Sequence, residues 1–370
     1  MLTLRDDRRV VLTVDAGGTS FRFNAVQGGR AVLEPLRMPT LGDDLDRCLG
    51  QLLDGFEAVH QSTGRSAVAL SFAFPGPADY AHGIIGDLPN LPAFRGGVAL
   101  GPLLEERFGL PVFINNDGAL FAYGEALGGL LPWVNGQLAA AGAPRRFGTL
   151  IGFTLGTGLG GGLVVDGRLL RGDNSAAAQV WTLRHPEQRG VFVEEGASIR
   201  AVRRVYAERA GLAPEHAPEP KVIAAIADGS ADGDRDAARE AWRAMGAVAG
   251  DAIATAVAVM DGLVVLGGGL SAAAPHLLPA LLEAMRGRLR WLDGREEPRL
   301  LARPYDLEDS RERAAFFQGE VRRIPVGPGG RTVPYDPLRR TGVGLSRLGT
   351  SEAMALGAYA FALEQLARID

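Results

Sequence analysis

The chain is expected to be an α/β protein folded as two lobes, and three observations lead there. Its 370 residues exceed what one ordinary hydrophobic core serves and suit two domains of common size. Short β-branched runs alternate with amphipathic helical stretches through its first half. Two glycine-rich turns set far apart, Asp15-Ala16-Gly17-Gly18-Thr19 and Leu155-Gly156-Thr157-Gly158-Leu159-Gly160-Gly161-Gly162, each sit between stretches that read as strands. Glycine lets the backbone approach a ligand closely, so a hairpin tip of this kind can present bare N–H groups and a hydroxyl to phosphate oxygens. Two such tips facing each other would clamp the phosphates of a nucleotide.

Val10 to Val14 is a β-branched run and reads as a buried strand; Phe21 to Val26 alternates after the turn, giving a hairpin across Gly17-Gly18. Asp43 to His60 carries Leu45, Cys48, Leu49, Leu52, Leu53, Phe56 and Val59 at helical spacing, which makes Cys48 a packed helix residue. A strand from Ala67 to Phe74 stops at Pro75-Gly76-Pro77. Next come a short strand at Gly83 to Ile85, the loop Leu88-Pro89-Asn90-Leu91-Pro92, a helix from Leu100 to Phe108 and a strand from Pro111 to Ile114. After Asn115-Asn116-Asp117, Ala119 to Leu131 reads as a helix and the Gly/Ala/Pro-rich stretch from Pro132 to Pro144 as a surface excursion.

The hairpin logic of the N-terminal region then returns: strand Thr149 to Thr154, the glycine turn, and strand Gly162 to Val165. Both lobes thus begin with apolar strand, glycine turn and apolar strand, a weak internal echo. Helices are expected at Ser198 to Ala210, Pro220 to Ala227 and Asp234 to Met260. A strand from Gly262 to Leu266 leads into Gly267-Gly268-Gly269-Leu270-Ser271 and a helix through Leu289. Asp293 to Leu345, rich in Arg, Pro and Gly with weak periodicity, reads as a loop-rich insertion. A last helix runs from Ser351 to Leu366, capped by Thr350 or Ser351. The expected lobes are residues 1–117 with the terminal helix 351–370, and residues 118–350.

Composition bounds the function. With 46% hydrophobic and 22% charged residues and a net charge of −4, nothing favours nucleic acid. No apolar stretch is expected to reach the ~18 residues a membrane span needs, and the opening MLTLRDDRRV lacks the apolar core of a signal peptide, so a cytoplasmic location is expected. The single cysteine excludes an intrachain disulfide and a Cys-rich zinc site. The single lysine, Lys221, among many arginines carries little functional information.

Together the motifs resemble the ROK family of sugar kinases, within the actin-like ATPase superfamily of two-lobed, ribonuclease H-like folds that also holds hexokinases. The resemblance runs from about residue 10 to 290 and over the final helix. It rests on DAGGT (15 to 19), FPGP (74 to 77), Pro89-Asn90-Leu91, NND (115 to 117), LGTGLGGG (155 to 162), VVLGGGLS (264 to 271) and ALGAYAFA (355 to 362). Any one of these occurs in unrelated chains; their occurrence together, in this order, is what points to the fold and to an ATP site. The resemblance implies an active site in the interdomain cleft. Thr19 with Gly17 and Gly18 would hold the γ- and β-phosphates, Gly156, Thr157 and Gly158 would close on the other side, and Gly267, Gly268 and Gly269 would lie under the adenosine. Asp15 would orient Mg²⁺ through water. Asp117 occupies the place of the catalytic base that accepts the sugar hydroxyl proton during in-line transfer. Asn90 and Asn116 match sugar-hydroxyl ligands, and Glu194 falls where the family has a sugar-contacting glutamate. A homodimer is also implied.

Each residue has a plainer reading when taken alone. Gly17-Gly18 suits an ordinary hairpin turn, Asp117 an N-cap for a helix at Ala119, the Gly267 triplet a tight strand-to-helix connection, Asn90 a turn residue, and Glu194 with Glu195 a solvated or helix-end pair. There are departures too. Where the family carries Ala-Gly-Glu-Ile-Gly-His, whose Glu and His contact the sugar and whose His binds zinc, this chain reads Ala177-Ala178-Gln179-Val180-Trp181-Thr182. The Cys-rich zinc motif is replaced near Arg189 to Glu194, so no structural zinc is expected. Gln179 can hydrogen-bond a hydroxyl but cannot act as an anionic acceptor. Trp181 is read as packing, and His185 as an exposed loop residue rather than a metal ligand. Three functions follow: an ATP- and Mg²⁺-dependent kinase of a hexose or related sugar; a sugar- or nucleotide-sensing protein with weak catalysis, suggested by Gln179 and Thr182; and a transcriptional regulator, for which a first strand starting about nine residues in leaves no helix-turn-helix.

Overall fold

The run Val10–Ala16 is buried along almost its whole length because both faces of its sheet are covered. On one face Leu12, Phe23, Leu70 and Phe72 meet Cys48, Leu52 and Phe56 of the helix Leu45–Ser62. On the other, Val11, Val26 and Ala69 meet Tyr359, Ala362 and Leu363 of the helix Thr350–Ile369. Asp44 starts the first of these helices by accepting a hydrogen bond from the Arg47 N–H at 3.1 Å. Cys48 is a packed helix residue, as expected, and burial pushes its thiol up to about 11. These elements come from a computed structural model that describes residues 4–17, 20–76, 78–86, 92–327 and 330–369.

The chain divides into two compact α/β units, Met1–Gly128 with Leu169–Ala177 and Leu348–Asp370, and Gly129–Arg168 with Ala178–Arg347. The boundary follows Gly128, not Asp117 as expected, because the helix Asp117–Gly128 packs along the helix Thr350–Ile369. Glycines set that contact. A Cβ on Gly124 would lie 1.9 Å from the Ala353 carbonyl oxygen, and one on Gly357 would lie 2.0 Å from that of Leu120. Gly124→Ala is therefore expected to lower the stability of the first unit by about 1–3 kcal/mol, read as a reduced midpoint in denaturant unfolding.

In the first unit the sheet order is Arg30–Ala31, Ser20–Gln27, Val10–Ala16, Ala67–Ala73, Val112–Asn115, with Leu36–Pro39 also pairing to Ser20–Gln27. Val10–Ala16 and Ser20–Gln27 form the expected antiparallel hairpin; the next two strands are parallel to Val10–Ala16. The second unit repeats this plan: Leu159–Val165, Thr149–Leu155, Leu263–Gly267, Arg340–Leu345, Arg303–Asp306. Again a hairpin leads and parallel strands follow. The echo that the sequence carries weakly is a shared topology.

The structure corrects several expectations. Asp293 to Leu345 is no loop-rich insertion: it supplies two strands of the main sheet, Arg303–Asp306 and the buried Arg340–Leu345, and the helix Ser310–Gln318. Glycines at 342 and 344, packed against Leu307 and Leu130, disguise the strand pattern. Pro132 to Pro144 is not a surface excursion but largely the helix Leu130–Ala140, which buries Leu130, Leu131, Val134 and Leu138. Its proline falls in the first turn, where a missing N–H costs nothing. The helix after the Gly267 turn ends at Met285, and Arg288–Arg290 pairs with Glu296–Pro298. Against expectation, the helix Arg235–Met260 is long and apolar enough to cross a bilayer by length and composition. Trp242, Met245, Val248, Ile253 and Val257 instead place it in the core of the second unit.

That unit also holds a buried ion pair. Arg340 Nη1 donates to Asp336 Oδ2 at 2.6 Å with both side chains almost fully buried, and the guanidinium carbon lies 5.3 Å from the centre of the Phe316 ring. Arg340 Nε and Nη2 meet no acceptor among the described residues.

Candidate active site

In the first unit, parallel pairing aligns Asp15 with Ala73 and Ala73 with Asn115 at the C-terminal ends of three neighbouring strands. Ligands of open α/β sheets gather at such ends. The chain leaves Asn115 directly into the helix Asp117–Gly128. Asn116, not Asp117, caps that helix: its Oδ1 accepts from Gly118 N–H at 2.9 Å and from Ala119 N–H at 3.4 Å. Asp117 is the first helical residue, and its Oδ1 accepts from Gly118 N–H at 2.9 Å. Its remaining acceptor capacity is therefore not spent on capping.

Asp117 keeps surface open to solvent, yet protein atoms crowd it in the wider shell. Desolvation pushes its carboxyl above the ordinary range. The negative charge of Asp15 pushes the same way, against hydrogen bonds from Gly118, its own N–H and Asn116. Asp15, half-buried, is also raised, again by desolvation first, opposed by the Ser351 hydroxyl at 3.4 Å from its Oδ2 and by the charge of Arg22. Two raised carboxyls close enough to feel each other form a place where a cation would be welcome. Asp15, with few protein partners, suits Mg²⁺, which takes few carboxylates and keeps waters. Gly17 follows the first strand, its N–H donating to Ser20 O at 3.1 Å. Gly18, Thr19 and Asn90 lie outside the described residues.

In the second unit the glycine turn joins Thr149–Leu155 to Leu159–Val165. Gly156 N–H donates to Gly158 O at 3.0 Å, while the N–H groups of Thr157 and Gly158 have no protein acceptor among the described residues. Beside it, Leu263–Gly267 runs parallel to Thr149–Leu155, setting Gly267 against Thr154. Gly268 has φ +84°, and a Cβ there would lie 2.3 Å from the Leu155 carbonyl oxygen, so only glycine fits. Gly269 opens a short 3₁₀ turn, and at that position a Cβ would meet open space. The unit thus brings the Gly156–Gly158 and Gly267–Gly269 turns side by side, with bare donors and exposed backbone.

Glu194 is not a solvated residue: its Oε2 accepts from Leu159 N–H at 2.9 Å and its Oε1 from Arg200 Nη2 at 3.1 Å. Gln179 Oε1 accepts from Trp181 Nε1 at 2.6 Å, and Trp181 stacks edge-on against Phe192 with ring centres 5.4 Å apart. His185 is buried, contrary to expectation. Its Nδ1 accepts from the N–H groups of Glu187 and Gln188 at 3.2 and 3.1 Å, and burial holds its pKa below the ordinary value. Sequence reasoning missed Ser351, Arg22 and Arg200. The last lies one residue inside the helix Ile199–Ala210, in an arginine-rich stretch where nothing in spacing distinguishes it.

Comparison with known proteins places the fold. The crystal structure of glucokinase from Parabacteroides distasonis superposes with a TM-score of 0.88 at 50% identity, over 98% of this chain and 99% of that one. ROK hexokinase from Thermus thermophilus shares the fold, with a TM-score of 0.67 at 23% identity over 97% and 99% of the two chains. Among curated sequences, glucokinase of Thermotoga maritima is 30% identical over 174 residues, 46% of this chain and 49% of that protein. The chain spans about half the length of the curated relatives it matches. The model of the ROK family matches residues 11–298, and with the two-unit actin-like architecture this makes the chain a member of the ROK family.

Proposed function

We propose that the protein is an ATP-dependent kinase that phosphorylates a hydroxyl of a hexose or related sugar. The observation that carries the reading is the pairing of Asp117 with Asp15 at one end of the same sheet, two carboxyls pushed upward, one of them left unspent by the Asn116 cap. A carboxylate raised toward working pH is a better proton acceptor than an ordinary one. In the proposed step Asp117 takes the proton of the acceptor hydroxyl as its oxygen forms a bond to the γ-phosphorus. The bond between that phosphorus and the bridging oxygen breaks, and ADP departs with the electron pair. Thr157 and Gly158 N–H groups, with Gly17, Gly18 and Thr19 of the first turn, would receive the phosphates, and Gly267, Gly268 and Gly269 would give the adenosine a flat backbone bed. Mg²⁺, held through Asp15, would supply charge neutralisation between the phosphates. Asn116, Asn90, Gln179 and Glu194 are proposed for the sugar. The 50%-identical glucokinase supports a hexose as acceptor.

The second reading, a sugar-sensing protein of weak catalysis, draws on Gln179, whose carbonyl oxygen is occupied by the Trp181 indole. One assay separates the two: ADP release with Mg²⁺-ATP across free hexoses, N-acetylated hexosamines and ketoses. Turnover on one sugar is the expected result. Sugar binding without turnover on any of them would select the sensor.

A further inference from the structure

Side chains touch the second glycine turn unevenly: at Gly156 a Cβ would meet nothing within 4 Å, whereas at Gly158 it would run into the Glu194 carboxylate. Hydrogen bonds hold it. Gly156 N–H closes on Gly158 O, and Gly156 O accepts from Ile199 N–H at 2.9 Å. The other two anchors run to a single pair of side chains: Leu159 N–H donates to Glu194 Oε2 at 2.9 Å, and Arg200 Nη1 donates to Thr157 O at 3.2 Å. Arg200 Nη2 in turn donates to Glu194 Oε1 at 3.1 Å and to Glu195 Oε1 at 2.9 Å. One planar guanidinium thus spans the tip carbonyl and two carboxylates, a bridge that lysine's point charge cannot reproduce. With the Thr157 carbonyl drawn toward Arg200, the peptide N–H of Gly158 is turned away from it, and that N–H is one of the two turn donors without a protein acceptor among the described residues.

We propose that Arg200 is a positioning residue of the nucleotide site, which, with Glu194, fixes the Gly156–Gly158 turn so that its free N–H groups receive phosphate. This rests on the kinase reading above. Glu194 thereby serves both ligands. The carboxylate proposed for the sugar is the same one that anchors the nucleotide turn, so an acceptor that draws on Glu194 acts on the phosphate donors through one side chain. Exposed ion pairs contribute little to stability, and Arg200 is half exposed, so its effect belongs to the turn's shape rather than to folding.

Calorimetric titration with Mg²⁺-AMPPNP tests this. Arg200→Met is expected to weaken nucleotide affinity about 10-fold, to leave the melting temperature of the free protein unchanged, and to move the KM for ATP more than kcat. Arg200→Lys should recover only part of the loss. Glu195→Gln, which spares both anchors of the turn, should bind as the unmodified protein does. Unchanged nucleotide affinity in Arg200→Met would overturn the role of Arg200 while leaving the kinase reading intact. A failure of the unmodified protein to bind AMPPNP would overturn both.

Discussion

Asp117→Asn is expected to lower kcat for sugar phosphorylation by about 10²–10⁴ while leaving nucleotide affinity nearly unchanged. Asparagine keeps the oxygen that accepts from Gly118 N–H but cannot take a proton, so the loss falls on the chemical step. The pH profile of the unmodified protein's activity should carry the same signature. A base acts deprotonated, and desolvation by the surrounding protein atoms together with the charge of Asp15 raises Asp117 above the ordinary carboxylate range. Activity should therefore rise with pH along an acid limb that lies above about 4. Stability runs the opposite way. A carboxyl raised on folding favours the folded state below its unfolded pKa, and that contribution is lost as pH climbs through the folded one. At neutral pH, then, Asp117→Asn should melt no lower than the unmodified protein. A drop in kcat accompanied by a lower melting temperature would mean that Asp117 is a structural cap, and the base would have to be sought elsewhere.

The largest stability effect is expected at Arg340. Arg340→Ala strands Asp336 in the interior of the second unit and should cost about 3–5 kcal/mol in denaturant unfolding. Asp336 retains Glu320 and Leu338 N–H donors, each at 3.2 Å, which suit a neutral amide as well as an anion. The double variant Arg340→Met with Asp336→Asn should consequently lie closer to the unmodified protein than Arg340→Ala does. Burial alone raises the Asp336 pKa, but Arg340 and the surrounding N–H groups outweigh it and leave the carboxyl below its ordinary value. The stability it contributes is present above the unfolded pKa of about 3.9 and is lost as pH falls through the folded value. Below about pH 4 the gap between Arg340→Ala and the unmodified protein should narrow. A gap independent of pH would assign the cost to the cavity over Phe316.

The sequence announces whatever is written in glycine turns and apolar runs. Both hairpins, the helix carrying Cys48, and the strand leading to Gly267 are legible because main-chain demands at these places permit few residue types. Arg340–Leu345 is hidden for the converse reason. It is a buried strand in which two of six residues are glycines admitting Leu307 and Leu130, so its two β-branched residues, Thr341 and Val343, stand among glycines in a Gly- and Arg-rich stretch that does not read as a strand. The site divides likewise. Asp15, Asn116 and Asp117 stand in a motif, whereas the side chains that finish them, Ser351 on Asp15 and Arg200 on the second turn, reach them across 336 and 43 positions of chain. His185 escapes sequence reasoning because its polar neighbours give no hint that two backbone N–H groups turn inward to meet its ring.

The strand Arg340–Leu345 sits next to Leu263–Gly267 in one sheet, and a few residues later the helix Thr350–Ile369 covers the sheet of the other unit. On a ribosome, neither unit can close until this stretch emerges, long after the residues it completes. During synthesis the N-terminal hairpin and its four companions wait with Val11, Val26 and Ala69 uncovered until that helix emerges. A polypeptide halted before residue 340 would expose two unfinished sheets and not one finished unit, which makes such nascent chains natural clients for chaperones.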